Sequence, residues 1–119
     1  MERPKDISEK TTEINLLYDY YGQLLTERQR KMIELYYGHD LSLGEISDQS
    51  GVSRQSVYDI LKRSEQALYR FEEKLGLVDR SLSQRDSLNR ALDCLNSGSR
   101  GDLENAREIL IQLIRAEEN

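Results

Sequence analysis

A chain of 119 residues, 33% charged and 37% hydrophobic with a mean hydropathy of −0.74, has room for one modest core and is too polar to live inside a membrane. Its net charge of −5 sets it apart from strongly basic nucleic-acid binders, and its single cysteine, Cys94, excludes an intramolecular disulfide. No apolar run approaches the roughly 18 residues of a membrane span, and MERPKDISEK lacks the apolar stretch of a secretory signal, so a soluble, cytoplasmic protein is expected. With one proline and abundant Leu, Glu, Arg, Lys and Gln, the composition favours helix throughout.

Residues 1–10 are polar and expected to be flexible. Ile14, Leu17, Tyr18 and Tyr21 recur at helical spacing and predict a first helix from about Thr11 to Tyr21, stopped by Gly22. Thr26 with Gln29 has the spacing of a capping box and opens a second helix, whose apolar face is Met32, Ile33, Tyr36 and Tyr37. Gly38 ends it beside a His39-Asp40 turn. Ser42 with Glu45 repeats the capping box before a short third helix with Leu43 and Ile46 inward. Gly51 supplies the next turn, and Val52 drops into the core.

Ser53 caps a fourth helix expected to reach Leu75 before Gly76, a length of about 33 Å. Its stripe of Val57, Leu61, Ser64, Leu68, Phe71 and Leu75 steps by four and three, as a packed seam does. Residues 77–82 read as a linker. A fifth helix from about Ser83 to Leu95 points Leu88, Ala91, Leu92 and Leu95 inward. After the loop at 96–101, Asp102 is expected to cap a sixth helix bearing Leu103, Ala106, Ile109, Leu110, Leu113 and Ile114. The expected organisation is a flexible 1–10, a core domain over 11–76, and a helical extension over 77–119 that packs on that core or on a dimer partner.

Residues 42–63, SLGEISDQSGVSRQSVYDILKR, hold the informative constellation: a short helix, a turn glycine, and a capped second helix with Ile46, Val52, Val57 and Leu61 inward. That pattern defines a helix-turn-helix, with the preceding helix as the third wall. On a helical wheel Val57, Ile60, Leu61 and Leu68 share one face; Gln55, Tyr58, Asp59, Lys62 and Gln66 share the other. Ser53, Arg54, Gln55 and Ser56 occupy the helix start, which reaches base edges in helix-turn-helix complexes. Arg can read guanine and Gln adenine, and helix-start amides suit phosphate.

The stretch LTERQRKMIELYYGHDLSLGEISDQSGVSRQSVYDILKRSEQAL resembles the C-terminal, promoter-reading domain of bacterial sigma factors. With Tyr36-Tyr37 and the extension YRFEEKLGL, residues 11–80 resemble the YlxM family, small helix-turn-helix proteins encoded beside signal recognition particle genes. The resemblance implies an all-α fold: a sigma-like helix-turn-helix core, a long fourth helix and a C-terminal helical pair. It also implies a regulatory role with the particle's GTPase Ffh or with its RNA.

Charge bears on the choice of partner. Residues 26–76 carry eight basic and nine acidic residues, a net −1, whereas phosphate neutralisation dominates duplex DNA affinity. Asp59 on the reading face repels phosphate. A local patch of Arg28, Arg30, Lys31, Arg54, Lys62 and Arg63 could restore weak binding. A homodimer, with its seam on the sixth-helix stripe or on the first helix, would present two reading helices about 34 Å apart.

The remaining residues have plain structural readings. Cys94 reads as a small buried hydrophobe, and the seven tyrosines as core residues with polar tips, Tyr58 excepted. His39 stands without a second His or Cys nearby, so no metal is expected. No phosphate-binding loop, His–carboxylate pair or nucleophile–base pair is present, and no enzyme activity or cofactor is expected.

Overall fold

The computed structural model describes residues 7–117, with side chains described from Glu9. Among them are six α-helices and no strand: α1 (Ile7–Tyr21), α2 (Glu27–Ile33), α3 (Leu43–Ser50), α4 (Arg54–Leu75), α5 (Leu77–Ser97) and α6 (Arg100–Glu117). The fold is all-α, as its composition suggested. The chain divides into one unit up to Val78 and another from Asp79.

In the first unit α4 packs against α1, α2 and α3 in turn. Its Val57, Leu61 and Leu68 are buried with Ile14, Leu17 and Tyr21 of α1, Met32 and Ile33 of α2, and Ile46 of α3. The steps of four and three along α4 produce this seam, although Leu75 at its end is exposed and Phe71 only half-buried. Residue by residue, the helix starts behave as their side chains dictate. The Thr26 hydroxyl accepts from the Gln29 N–H and the Gln29 side chain accepts from the Thr26 N–H. Ser42 and Glu45 close the same reciprocal pair. Ser53 accepts from the Ser56 N–H at 3.1 Å. Each device satisfies amides that a helix start otherwise leaves unpaired.

Gly51 joins α3 to α4 at φ 73° while its N–H bonds the Ser47 carbonyl. An added Cβ would touch nothing within 4 Å, so only backbone strain opposes substitution. Gly51→Ala is expected to cost about 1–2 kcal/mol, read as a drop of about 5 °C or more in thermal midpoint.

Several expectations need correction. α1 starts at Ile7, before Thr11; residues 1–6 lie outside the described part. Its end is as expected, with Tyr21 the last residue of α1; Gly22 then opens a 3₁₀ turn, Gly22–Leu24, and a Cβ at that position would meet the Tyr18 ring at 2.9 Å. α2 passes into a π-turn, Glu34–Gly38, closed by the His39 N–H on the Glu34 carbonyl at 2.9 Å. That wider turn rotates the tyrosines: Tyr37 faces α4, while Tyr36 is exposed with its ring edge-on to Tyr37. Both had been expected inward. Asp40, not a glycine, takes the left-handed conformation here, at φ 55°.

There is no linker at 77–82. Gly76, at φ 62°, turns α4 directly into α5. The first amides of α5 find partners at once: Leu77 N–H donates to the Tyr21 hydroxyl and Val78 N–H to the Glu72 carboxylate, both at 3.0 Å. Similarly, Ser99 rather than Asp102 caps α6, accepting the Asp102 N–H on its hydroxyl and the Leu103 N–H on its carbonyl. Asp102 lies in the first turn and accepts from Ser97; that hydroxyl, then Ser99, holds its carboxyl below the usual range.

Tyrosine–glutamate pairs fasten the first unit: Tyr18 to Glu34, Tyr21 to Glu72, Tyr37 to Glu65 and Tyr69 to Glu13. Burial, then the neighbouring carboxylate, pushes all four phenols upward, Tyr18 and Tyr69 each to about 12. A raised phenol pKa means that the unfolded chain loses its proton first. Stability from these groups is therefore intact below about pH 10 and lost as pH rises towards 12. A spectrophotometric phenolate titration should show a late tyrosine fraction, with unfolding following its onset; ionisation of every tyrosine near pH 10 would contradict this.

In the second unit the loop after Ser97 reverses the chain, and α5 and α6 flank a common groove as an antiparallel hairpin. Ala91 and Ala106 are buried, and Ile109, Leu113 and Cys94 half-buried. Contrary to expectation, Leu88, Leu92 and Leu95 of α5 are exposed; Leu103, Leu110 and Ile114 of α6, expected to pack on the core or on a dimer partner, are exposed too.

Candidate nucleic-acid interface

The outward face of α4 is where the periodicity put it: Gln55, Tyr58, Asp59 and Gln66 are exposed, opposite buried Val57, Leu61 and Leu68. At the helix start Ser53, Gln55 and Ser56 already have internal partners. Ser53 donates to the Ser56 hydroxyl at 3.1 Å, and Gln55 donates its amide to Asp59 at 3.0 Å. The Arg54 guanidinium lies back over Gly44 in the first turn of α3, where a Cβ would sit 3.0 Å from it. A side chain at position 44 would therefore displace Arg54.

The expected basic patch is split. Arg28 of α2 and Arg63 of α4 meet across a cleft of about 410 Å³ that Thr26, Gln29, Ser56, Asp59 and Ile60 also line. Arg30 and Lys31 open instead onto another cleft, of about 540 Å³, among Tyr18, Asp19, Glu27 and Glu34. Four acidic or phenolic groups beside two cations make that second cleft a poor host for phosphate. Lys62 stands apart from both. Its ammonium lies 3.6 Å from the Glu65 carboxylate and 5.5 Å from the centre of the Tyr58 ring, and Glu65 is the main reason that its pKa is raised.

Glu65 is the residue that the sequence pattern missed. It is buried, accepts from Tyr37, and pairs with Lys10 at 3.3 Å as well as with Lys62. An acid next to Ser64 on the buried stripe, three residues after a lysine, was the available signal. The hub draws Lys62 towards α1 and offsets its charge. Among the described residues no group of three His, Cys, Asp or Glu could hold a metal ion, and no helix is long and apolar enough to cross a membrane.

An α3–glycine–α4 pair held against α1 and α2, with a polar face on the second helix, defines a helix-turn-helix protein. Residues 8–108 match the model of the UPF0122 family, described as "Putative helix-turn-helix protein, YlxM / p13 like", and the chain belongs to that family. It is 51% identical over 105 residues to a UPF0122 protein of Desulforamulus reducens, covering 85% of this chain and 90% of the relative. A UPF0122 protein of Symbiobacterium thermophilum is 50% identical over 107 residues, covering 87% and 94%. One from Listeria innocua is 49% identical over 80 residues, covering 67% and 72%.

Proposed function

We propose that the chain is a non-catalytic accessory protein of the signal recognition particle pathway that meets the particle's RNA, or its GTPase Ffh, through the helix-turn-helix. The observation that carries this reading is the cleft that joins Arg28 of α2 and Arg63 along the first three turns of α4. Two guanidinium groups with the Ser56 hydroxyl outnumber the one carboxylate of the cleft, Asp59, and suit a pair of backbone phosphates without a base contact. The YlxM resemblance supplies the pathway. The acidic balance of residues 26–76 supports a contact of limited extent rather than a long duplex footprint.

The experiment is capture of Ffh by the full chain, with and without its RNA, together with rates of GTP hydrolysis. Association, or a changed rate, supports the reading; neither would end it. In this reading the protein works in the cytoplasm as a homodimer.

A second reading, sequence-specific DNA regulation, is favoured by exposed Tyr58 and the capped start of α4, where Ser53, Arg54, Gln55, Ser56 and Lys62 would contact the duplex. It requires Gln55 to leave Asp59, Arg54 to leave Gly44, and Lys62 to leave Glu65. Salt-dependent binding to random-sequence duplex at micromolar protein is its test, and absence of such binding rejects it.

A further inference from the structure

We infer that the seam of the homodimer is the exposed apolar face of the α5–α6 hairpin, and that a second copy of this chain covers it through the same face. This rests on the homodimer of the proposed function and names its surface. Buried Ala91 and Ala106 mark the inward lines of the two helices. Leu88, Leu92 and Leu95 lie three residues before Ala91 and one and four after it. Leu103, Leu110 and Ile114 lie three before Ala106 and four and eight after it. All six therefore stand on the flank of the same hand, and in an antiparallel hairpin those two flanks share one side. Leu88 from α5 and Leu110, Leu113 and Ile114 from α6 indeed line one groove, of about 320 Å³.

Area and core size argue for a second copy. The six side chains are 38–61% exposed. At about 180 Å² for each free side chain they leave about 500 Å² of apolar surface, the upper range for a monomer's largest patch. Two copies facing each other would remove about 1,000 Å² of apolar surface before any polar rim, which reaches the size of a specific interface. Among the described residues from Asp79 onward the hairpin has no large buried side chain: Ala91 and Ala106 are the buried ones. Units of about 40 residues depend on staples or association, and two apolar-faced hairpins make a four-helix bundle. Such a contact is isologous and closes at two copies. Helix α1, the other candidate seam, is spent: Ile14, Leu17 and Tyr21 are in the core of the first unit.

The test is the mass of the full chain in solution, by light scattering from about 1 to 100 μM, without nucleic acid or Ffh. Twice 13.9 kDa is expected. Leu92→Glu with Ile114→Glu places charge at exposed positions and should give a monomer with helicity intact by circular dichroism. If that variant loses helicity, the milder Leu92→Gln with Ile114→Gln should raise the dimer dissociation constant at least tenfold. Arg28→Glu with Arg63→Glu should stay dimeric. A wild-type chain that remains monomeric overturns the homodimer itself. A dimer that survives the Leu92 and Ile114 variants unchanged overturns this seam and leaves the homodimer standing.

Discussion

Ile46→Ala is expected to remove about 3 kcal/mol of stability, within the 2–5 kcal/mol usual for truncating a buried isoleucine. Ile46 is fully buried and is the only side chain of α3 that the core encloses completely. Leu43 beside it is half-buried and cannot fill the space without moving the first turn of α3, which the Ser42–Glu45 capping box fixes. A cavity therefore remains, and the loss exceeds the transfer energy of the missing carbons. Domains have about 5–15 kcal/mol in all, so the variant should be folded but marginal. Urea unfolding should show a lower midpoint with an unchanged slope, because the surface exposed on unfolding hardly alters. Gln66→Ala on the exposed side of α4 should stay within about 0.5 kcal/mol of the parent. A loss at Ile46 below about 1 kcal/mol would mean that α3 does not anchor the turn.

Reversing both arginines of the cleft, Arg28→Glu with Arg63→Glu, is expected to weaken binding to the particle's RNA about 100-fold at 50 mM salt. Each phosphate contact contributes a little over one decade of affinity at that salt through released counterions. Both contacts should disappear, so the slope of log affinity against log salt should flatten by roughly two. Arg30→Glu with Lys31→Glu carries the same charge change on the other cleft, where Asp19, Glu27 and Glu34 already stand, and should cost under about tenfold. Equal losses in the two double variants would show that general charge, not the Arg28–Arg63 cleft, drives association. Neither pair enters the core, so melting temperatures should stay near that of the parent.

The helix-turn-helix was legible because its signals are local. Thr26 with Gln29, Ser42 with Glu45, Ser53 and Gly51 each act within four residues, and their chemistry does not depend on what packs above them. The buried stripe of α4 was legible as far as Leu68 for the same reason. What the pattern could not carry were effects set by distant partners. The join at Gly76 needed Tyr21, far upstream, to receive the Leu77 amide. The orientation of Tyr37 needed the π-turn and an acid on α4. The leucines of α5 read as inward, and those of α6 as facing the core or a dimer partner, because periodicity reports an apolar face and is silent about what covers it. At the candidate site the outward residues were found by periodicity. Their internal partners were not: Asp59 for Gln55 and Glu65 for Lys62 stand at helix-neighbour spacing, which permits such a pair without selecting it, and the place of Arg54 over Gly44 depends on how α3 packs on α4.

The tyrosine–glutamate pairs have an optical consequence. There is no tryptophan, and all seven tyrosines and the one phenylalanine precede Glu72, so every aromatic chromophore lies in the unit that ends at Val78. Tyrosine emission and near-ultraviolet circular dichroism thus watch that unit alone, while the far-ultraviolet signal sums all six helices. Carboxylates bonded to phenols quench their emission, so opening of the four pairs should register as brightening. A heating curve followed in both channels then separates two cases without any label. Coincident transitions mean that the α5–α6 hairpin melts with the aromatic unit as one cooperative body. A far-ultraviolet step without an aromatic counterpart marks the hairpin unfolding by itself.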